Sequence, residues 1–293
     1  MTRGVHRRTD ATDPFLADLR GWAQVLPPAG RFTHLTAATL HGLWLPPLPP
    51  GIPVFAAIPQ EQGRPVRPGL TVLRPSRLEP AVLVAGVEVD PPERTLLTLA
   101  RHLSELDLTV LVDSALHAGL TDVAGLARCA TGRQRGAPRL RRVLAWVDGR
   151  SESAWETMLR RLHELCGVRV EPQVEVRDDD GTFVARGDLR LVGTRVLHEY
   201  DGGHHLEVSR QQADLRRARG LVRAGWIRRG YTAGDLLHRA SGVLRDADDS
   251  LGRPHDPARV AAWHEQLRAS CFTPAGRFAL LGRLGLATDR TQR

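Results

Sequence analysis

The sequence predicts an α/β protein, and three observations carry the prediction. Apolar residues make up 42% and charged residues 25% of the 293 positions, the balance of a chain that builds a core rather than a fibre or a disordered tail. The second half reads helix, three strands, helix, strand. The first half sets three short apolar runs, separated by Pro and Gly, among helical patterns, an α+β arrangement. At ~100–200 residues per domain this length suits one large domain or two ordinary ones.

Taken in order, Asp13-Pro14 pairs an N-cap residue with proline at the first helical position and opens a helix to about Leu26. Residues 34–43 form a second short helix, ended by Gly42 and a proline-rich stretch. Runs at 54–58, 70–73 and 81–89 read as strands. Helices follow through His102, over 106–118, over 121–129 and over 139–147. Asp148-Gly149-Arg150 marks the boundary between the halves. Beyond it, Trp155, Met158, Leu159, Leu162 and Leu165 make a helical stripe over 153–166, stopped by Gly167. Strands are expected at 168–176, 182–192 and 195–201, a helix at 210–224, a strand at 226–232, and two terminal helices at 257–270 and 276–286.

Composition excludes several classes. No stretch reaches ~18 consecutive apolar residues, so no membrane-spanning segment or membrane partner is expected. The first residues lack the apolar run of a secretory signal, and Cys129, Cys166 and Cys271 are odd in number and far apart. That pattern argues against a disulfide framework or a CxxC zinc pair and suits the cytoplasm. Net charge is +8 with a pI near 10.8. The chain has no Lys and no Asn, so all 41 basic residues are Arg. Compositional bias accounts for part of this; the excess charge nonetheless favours a polyanionic partner, and guanidinium grips phosphate with two donors.

The informative stretch runs from Arg186 to Gly202. With Gly193-Thr194 at the centre of a hairpin loop, either two or four residues long, Asp188 lies opposite Glu199 and Arg186 opposite Asp201. Asp188, Glu199 and Asp201 then share one face, while Leu189, Leu191, Val196 and Tyr200 share the other. Opposed carboxylates repel unless a cation sits between them or one holds a proton. An oxygen-only donor set suits Mg²⁺ or Mn²⁺. The alternative is a solvated acidic edge neutralised by ordinary ion pairs. His204 and His205 follow as candidate acid/base groups or ligands. Glu156 closes a capping box with Ser153 and is a possible fourth acid. Arg210, Arg216, Arg217, Arg219 and Arg223, with Arg228 and Arg229 beyond, read either as a solvated helix face or as a ridge for phosphates.

Ser153-x-x-Glu156, then Ala185-Arg-Gly-Asp188-Leu, then Glu199-Tyr-Asp-Gly202 with His204-His205, then Arg210-x-x-x-Asp214-x-x-Arg217 through Gly225-Trp226, resemble the very-short-patch-repair-endonuclease-like domain of unknown function. That domain is a branch of the PD-(D/E)XK restriction-endonuclease-like superfamily. The resemblance covers roughly residues 151–236. It implies a mixed sheet flanked by helices, a divalent metal and phosphodiester hydrolysis, with Asp188 and Glu199 as metal-binding acids and Glu156 as the helix acid. Asp201 stands where the superfamily motif has Lys, leaving His204, His205, Gln211 or an Arg to substitute for it, with Asp201 or a His to orient the attacking water. More weakly, Leu35-Thr-Ala-Ala-Thr-Leu-His-Gly-Leu43, Pro92-Glu-Arg-Thr-Leu-Leu97 and Asp113-Ser-Ala-Leu116 resemble the abortive-infection AbiEi-type antitoxin or regulator architecture.

The organisation expected is thus an antitoxin-like α+β unit over 1–148, with its winged helix short or missing, an endonuclease-like unit over 149–245, and a helical extension over 246–293. The expected activity is metal-dependent cleavage of DNA without a small-molecule cofactor; the alternative is a non-catalytic DNA-binding regulator. Catalytic candidates are Asp188, Glu199, Asp201, Glu156 and His205, and Arg186, Arg210, Arg216, Arg217 and Arg228 are the candidate DNA contacts.

Overall fold

A computed structural model describes residues 13–202 and 208–286, with backbone alone for 208–214. The fold is α/β, two mixed sheets flanked by helices. No described helix is long and apolar enough to cross a membrane.

The first half opens with α1 (Pro14–Ala23), whose N-cap Asp13 accepts the Leu16 N–H at 3.0 Å. It stops three residues short of the expected end. Strand β1 (Arg31–Phe32) follows, then α2 (His34–Leu40), β2 (Val54–Ala57) and β3 (Leu70–Leu73). The run expected as one strand over 81–89 is instead a hairpin, β4 (Val82–Val84) and β5 (Val87–Val89). Ala85 and Gly86 both take positive φ, 50° and 82°, the signature of a two-residue turn that reverses the chain. The sheet order is β3-β2-β1-β5-β4. Two-residue β1 holds its centre by pairing with β2 on one side and β5 on the other. Helices α3 (Pro92–Leu99), α4 (Glu105–His117), α5 (Val123–Cys129) and α6 (Ala137–Val143) complete this half.

The second half runs α7 (Ala154–Leu165), β6 (Val170–Arg177), β7 (Phe183–Leu191), β8 (Val196–Tyr200), α8 (Val208–Arg223) and β9 (Ile227–Tyr231), as the sequence predicts. The sheet order is β6-β7-β8-β9, antiparallel except for the parallel pair β8/β9. Helix α7 covers one face through Met158, Leu159 and Leu162, and α8 covers the other through Leu221 against Leu197 and Val176. Two helices unseen in the sequence follow, α9 (Ala233–His238) and α10 (Ala240–Ser250). The first terminal helix is split into a 3-10 turn (Pro257–Val260) and α11 (Ala261–Ala269), and α12 (Pro274–Arg283) ends the described chain.

Every residue of helix α4 from Leu106 to Ala115 is buried, polar ones included, because the helix is walled in by both halves. Leu108, Leu111 and Val112 belong to the first core, with Leu35, Phe55, Leu126 and Leu140. Leu106 and Val110 belong to the second, with Leu189, Leu191 and Trp263. The segment expected as a separate extension is likewise shared: Cys271 and Leu280 enter the first core, Ala247, Val260 and Trp263 the second. Polar bonds cross the same seam. Asp113 of α4 accepts from Arg160 Nη2 at 2.6 Å, Thr157 Oγ1 at 2.8 Å and the Asp148 N–H at 2.8 Å. Asp107 accepts from Ser270 Oγ at 2.5 Å and the Cys271 N–H at 3.0 Å.

Candidate functional site

The site forms where β7 and β8 part. Leu189 pairs with His198 and Arg190 with Leu197, the register expected from the hairpin centre. The loop is the four-residue version: the Thr194 N–H bonds the Leu191 carbonyl at 3.1 Å, with Gly193 at φ 89° in the third position, as a type II turn requires. The recorded ladder stops at Leu189. Asp188 Oδ2 instead accepts the Tyr200 N–H at 2.9 Å, so a side chain takes over where backbone pairing ends. Arg186 therefore does not sit against Asp201; it makes an ion pair with Glu152 at 2.5 Å.

On the other side, β6 pairs with β7 at Pro172–Leu189 and Val174–Gly187, skipping Gln173. Gln173 adopts φ 54°, and its Nε2 donates to Glu156 Oε2 at 2.8 Å. Nothing in the sequence marks Gln173, because its role depends on this local backbone departure. Glu156 and Ser153 cap α7, but the carboxylate takes the Glu152 N–H rather than the Ser153 N–H that the expected capping box requires. Ser153 Oγ accepts the Glu156 N–H at 3.2 Å and donates to Glu156 Oε1 at 2.9 Å, and the Glu152 N–H reaches Oε2 at 2.8 Å. The charge of Glu156 also bears on Asp188.

Asp188 is pushed up to about 7, first by burial, then by the negative charges of Glu156 and Glu199. The Tyr200 N–H and Arg217 act the other way. The carboxyl is thus shared between acid and base forms near neutrality. Glu199, 2% exposed, is held differently. Oε1 accepts from Arg217 Nη2 at 2.5 Å and Oε2 accepts from Arg228 Nε. Arg228 Nη2 also donates to Asp201 Oδ1. Asp201 lies across Gly230 to get there: a Cβ on Gly230 would stand 1.7 Å from its Oδ2. Arg217 is braced further by the Arg186 carbonyl at 2.7 Å.

Of the expected site residues, the structure brings Asp188, Glu199 and Glu156 into one electrostatic cluster, with Asp201 tied to it through Arg228. Arg217 and Arg228, expected as DNA contacts, are counter-ions of Glu199, and Arg186 is a counter-ion of Glu152. Arg216 is exposed on α8. His204, His205 and the side chains of Arg210 and Gln211 lie outside the described residues. Two histidines absent from the sequence reading lie under the sheet instead. His163 Nδ1 donates to the Leu159 carbonyl at 2.7 Å, and its Nε2 meets His198 Nδ1 at 2.9 Å. Burial pushes His163 down to about 4, so this pair stays neutral and structural.

A divalent cation needs carboxylate oxygens free to turn toward it. Here both oxygens of Glu199 carry guanidinium donors and both oxygens of Glu156 carry protein donors. Among the described residues no group of three or more His, Cys, Asp or Glu side chains is disposed to hold a metal ion. The expected Mg²⁺ or Mn²⁺ does not fit this arrangement.

No protein-family model matches the chain, and no curated protein matches it. Among solved structures the chain is similar to that reported as the crystal structure of the RV2827C protein from Mycobacterium tuberculosis. Identity is 21% and the TM-score 0.35. The match covers 46% of this chain and 54% of that one, about half the length of each.

Proposed function

We propose that the second half binds the phosphate backbone of DNA without cutting it, through Arg217 and Arg228 held at the divergence of β7 and β8. One observation carries this reading: each oxygen of buried Glu199 takes a guanidinium, while Arg217 and Arg228 remain 31% and 35% exposed. A buried carboxylate that fixes two half-exposed guanidiniums removes most of their rotamer freedom before any ligand arrives. Each guanidinium retains N–H donors beyond those used internally. Backbone contacts of this kind position a duplex and carry little sequence preference.

Metal-dependent hydrolysis is the second reading, and Asp188 is the observation that favours it. A carboxyl raised to about 7 by neighbouring carboxylates is a group that a cation would relieve. Cation binding there requires Arg217 and Arg228 to leave Glu199.

The test is duplex binding by fluorescence anisotropy over a salt series, beside a plasmid-nicking assay with Mg²⁺ or Mn²⁺. Binding without nicking is expected. Arg217→Met and Arg228→Met should each lower affinity and flatten the salt dependence by ~0.9 log unit per log unit of salt, one phosphate contact apiece. Each single variant leaves Glu199 one guanidinium partner, which keeps the fold. Metal-dependent nicking abolished by Asp188→Ala would install the second reading, and no binding at low salt would end both.

A further inference from the structure

A second basic site lies in the first half, on the opposite side of the sequence from the acidic cluster. A cavity of about 520 Å³ opens between the end of α3, the loop before α6, α6 itself and the last turn of α12. Arg101, Arg133, Arg135, Arg139, Arg142 and Arg283 line it, and its lining contains no carboxylate. The acid bonded to this set is Glu105, which pairs with Arg142 at 2.7 Å and also bears on Arg139.

Three features make this more than a solvated basic surface. Arg283 Nε and Nη2 are fully covered and have no hydrogen-bond partner among the described residues. Five other arginines each have one such donor, and Arg283 has two; a buried N–H without an acceptor calls for an oxygen. Arg139 is fixed by the Ala100 and Leu103 carbonyls, at 3.0 and 2.7 Å, so it is pre-positioned on the wall. The positive charges also press on one another. Arg139 is lowered by burial and by Arg283 and Arg142, and His102 is pushed down to about 4 by burial and by Arg101, Arg283 and Arg139. An anion relieves the mutual repulsion of these charges, while burial, the larger cause in both, is unaffected.

We propose that this cleft binds a compact anion carrying two or more phosphate groups, with Arg283 at its floor and Arg133 and Arg135 closing over it. Its volume falls in the ~300–1,000 Å³ range of small-ligand sites. The lining holds no Phe, Tyr or Trp to stack a base, so recognition rests on the phosphates. The same chemistry is available from a free polyphosphate and from the backbone of a nucleic-acid strand, and a concave site of this size favours the free form.

Isothermal titration with sodium tripolyphosphate at physiological salt tests the proposal, with a single-stranded hexadeoxynucleotide as the second arm. Saturable 1:1 binding of tripolyphosphate is expected, at least tenfold tighter than the hexanucleotide. Arg283→Gln and the surface pair Arg133→Gln/Arg135→Gln should each weaken it tenfold or more, while Arg64→Gln/Arg67→Gln, exposed and outside the cleft, should leave it unchanged. The two cleft variants alter different walls, so loss of folding in one leaves the other informative. Equal binding by wild type and the cleft variants, tighter binding of the hexanucleotide, or no saturable binding would overturn it. None of these readouts depends on Arg217 or Arg228, so the DNA-binding proposal stands or falls separately.

Discussion

Among single residues, Asp188 carries the clearest physical consequence. Its folded pKa lies near 7 against an ordinary 3.8. The unfolded chain therefore releases this proton first as pH rises. The stability associated with the bound proton is fully present below about pH 3.8 and is lost as pH climbs to about 7. At ~1.4 kcal/mol per unit this loss is at most about 4 kcal/mol. Asp188→Asn should remove it, seen as a flatter stability-versus-pH curve between 4 and 7 in urea unfolding. Carboxyl NMR should find Asp188 titrating near 7, and Glu156→Gln should bring that value down, because Glu156 is the largest electrostatic contributor. The positions of Asp188 and Glu199 were legible in the sequence, since strand parity and the glycine of the hairpin loop fix them. Their partners were not. Arg217 is eighteen residues from Glu199 and Arg228 twenty-nine, and only the packing of α8 on the sheet and the parallel placement of β9 beside β8 bring the two guanidiniums to it.

For elements, the lesson is where periodicity fails. Strand β1 is two residues long and held wholly by its neighbours, so no run of β-formers announces it. The hairpin β4–β5 hides its turn in Ala85-Gly86, because alanine rarely takes positive φ and gives no warning of it. Helices α7 and α8 and strands β6 to β9 were readable because each carries its own cap, stripe or alternation. In β9, Gly230 has a role that alternation does not express, as the floor beneath Asp201. Gly230→Ala should expel Asp201 from Arg228 and destabilise the protein by about 1–3 kcal/mol, the usual result of overpacking. Gly187→Ala should cost at least as much, since its added methyl meets Cδ1 and Cδ2 of Leu197 at 2.7 Å and Leu197 is fully buried, whereas Asp201 is partly exposed and can swing away. Thermal unfolding of the two variants side by side checks the order.

For the whole molecule, the buried ion pair between Asp113 and Arg160 joins the halves. The two side chains are 0% and 2% exposed, and Asp113 is raised to about 6 because burial outweighs the pull of Arg160. Removing one partner leaves a buried charge short of compensation. Asp113→Ala should therefore cost about 3–5 kcal/mol, measured by denaturant unfolding. The sequence placed the boundary at 148–150 from turn residues alone, and it could not disclose that α4 faces two cores, since the partners of its buried Asp107 and Asp113 lie far along the chain. That geometry makes the halves poor candidates for separate expression. A fragment ending at residue 148 would present Leu106 and Val110 to water, and it would lack Cys271 and Leu280, which plug the far end of its own interior. Such a piece should clump or be digested by protease, whereas the intact chain should melt in a single step. Any relative that exchanged one half for an unrelated module would first have to redress this shared central rod, so recombination at the midpoint is disfavoured by packing alone.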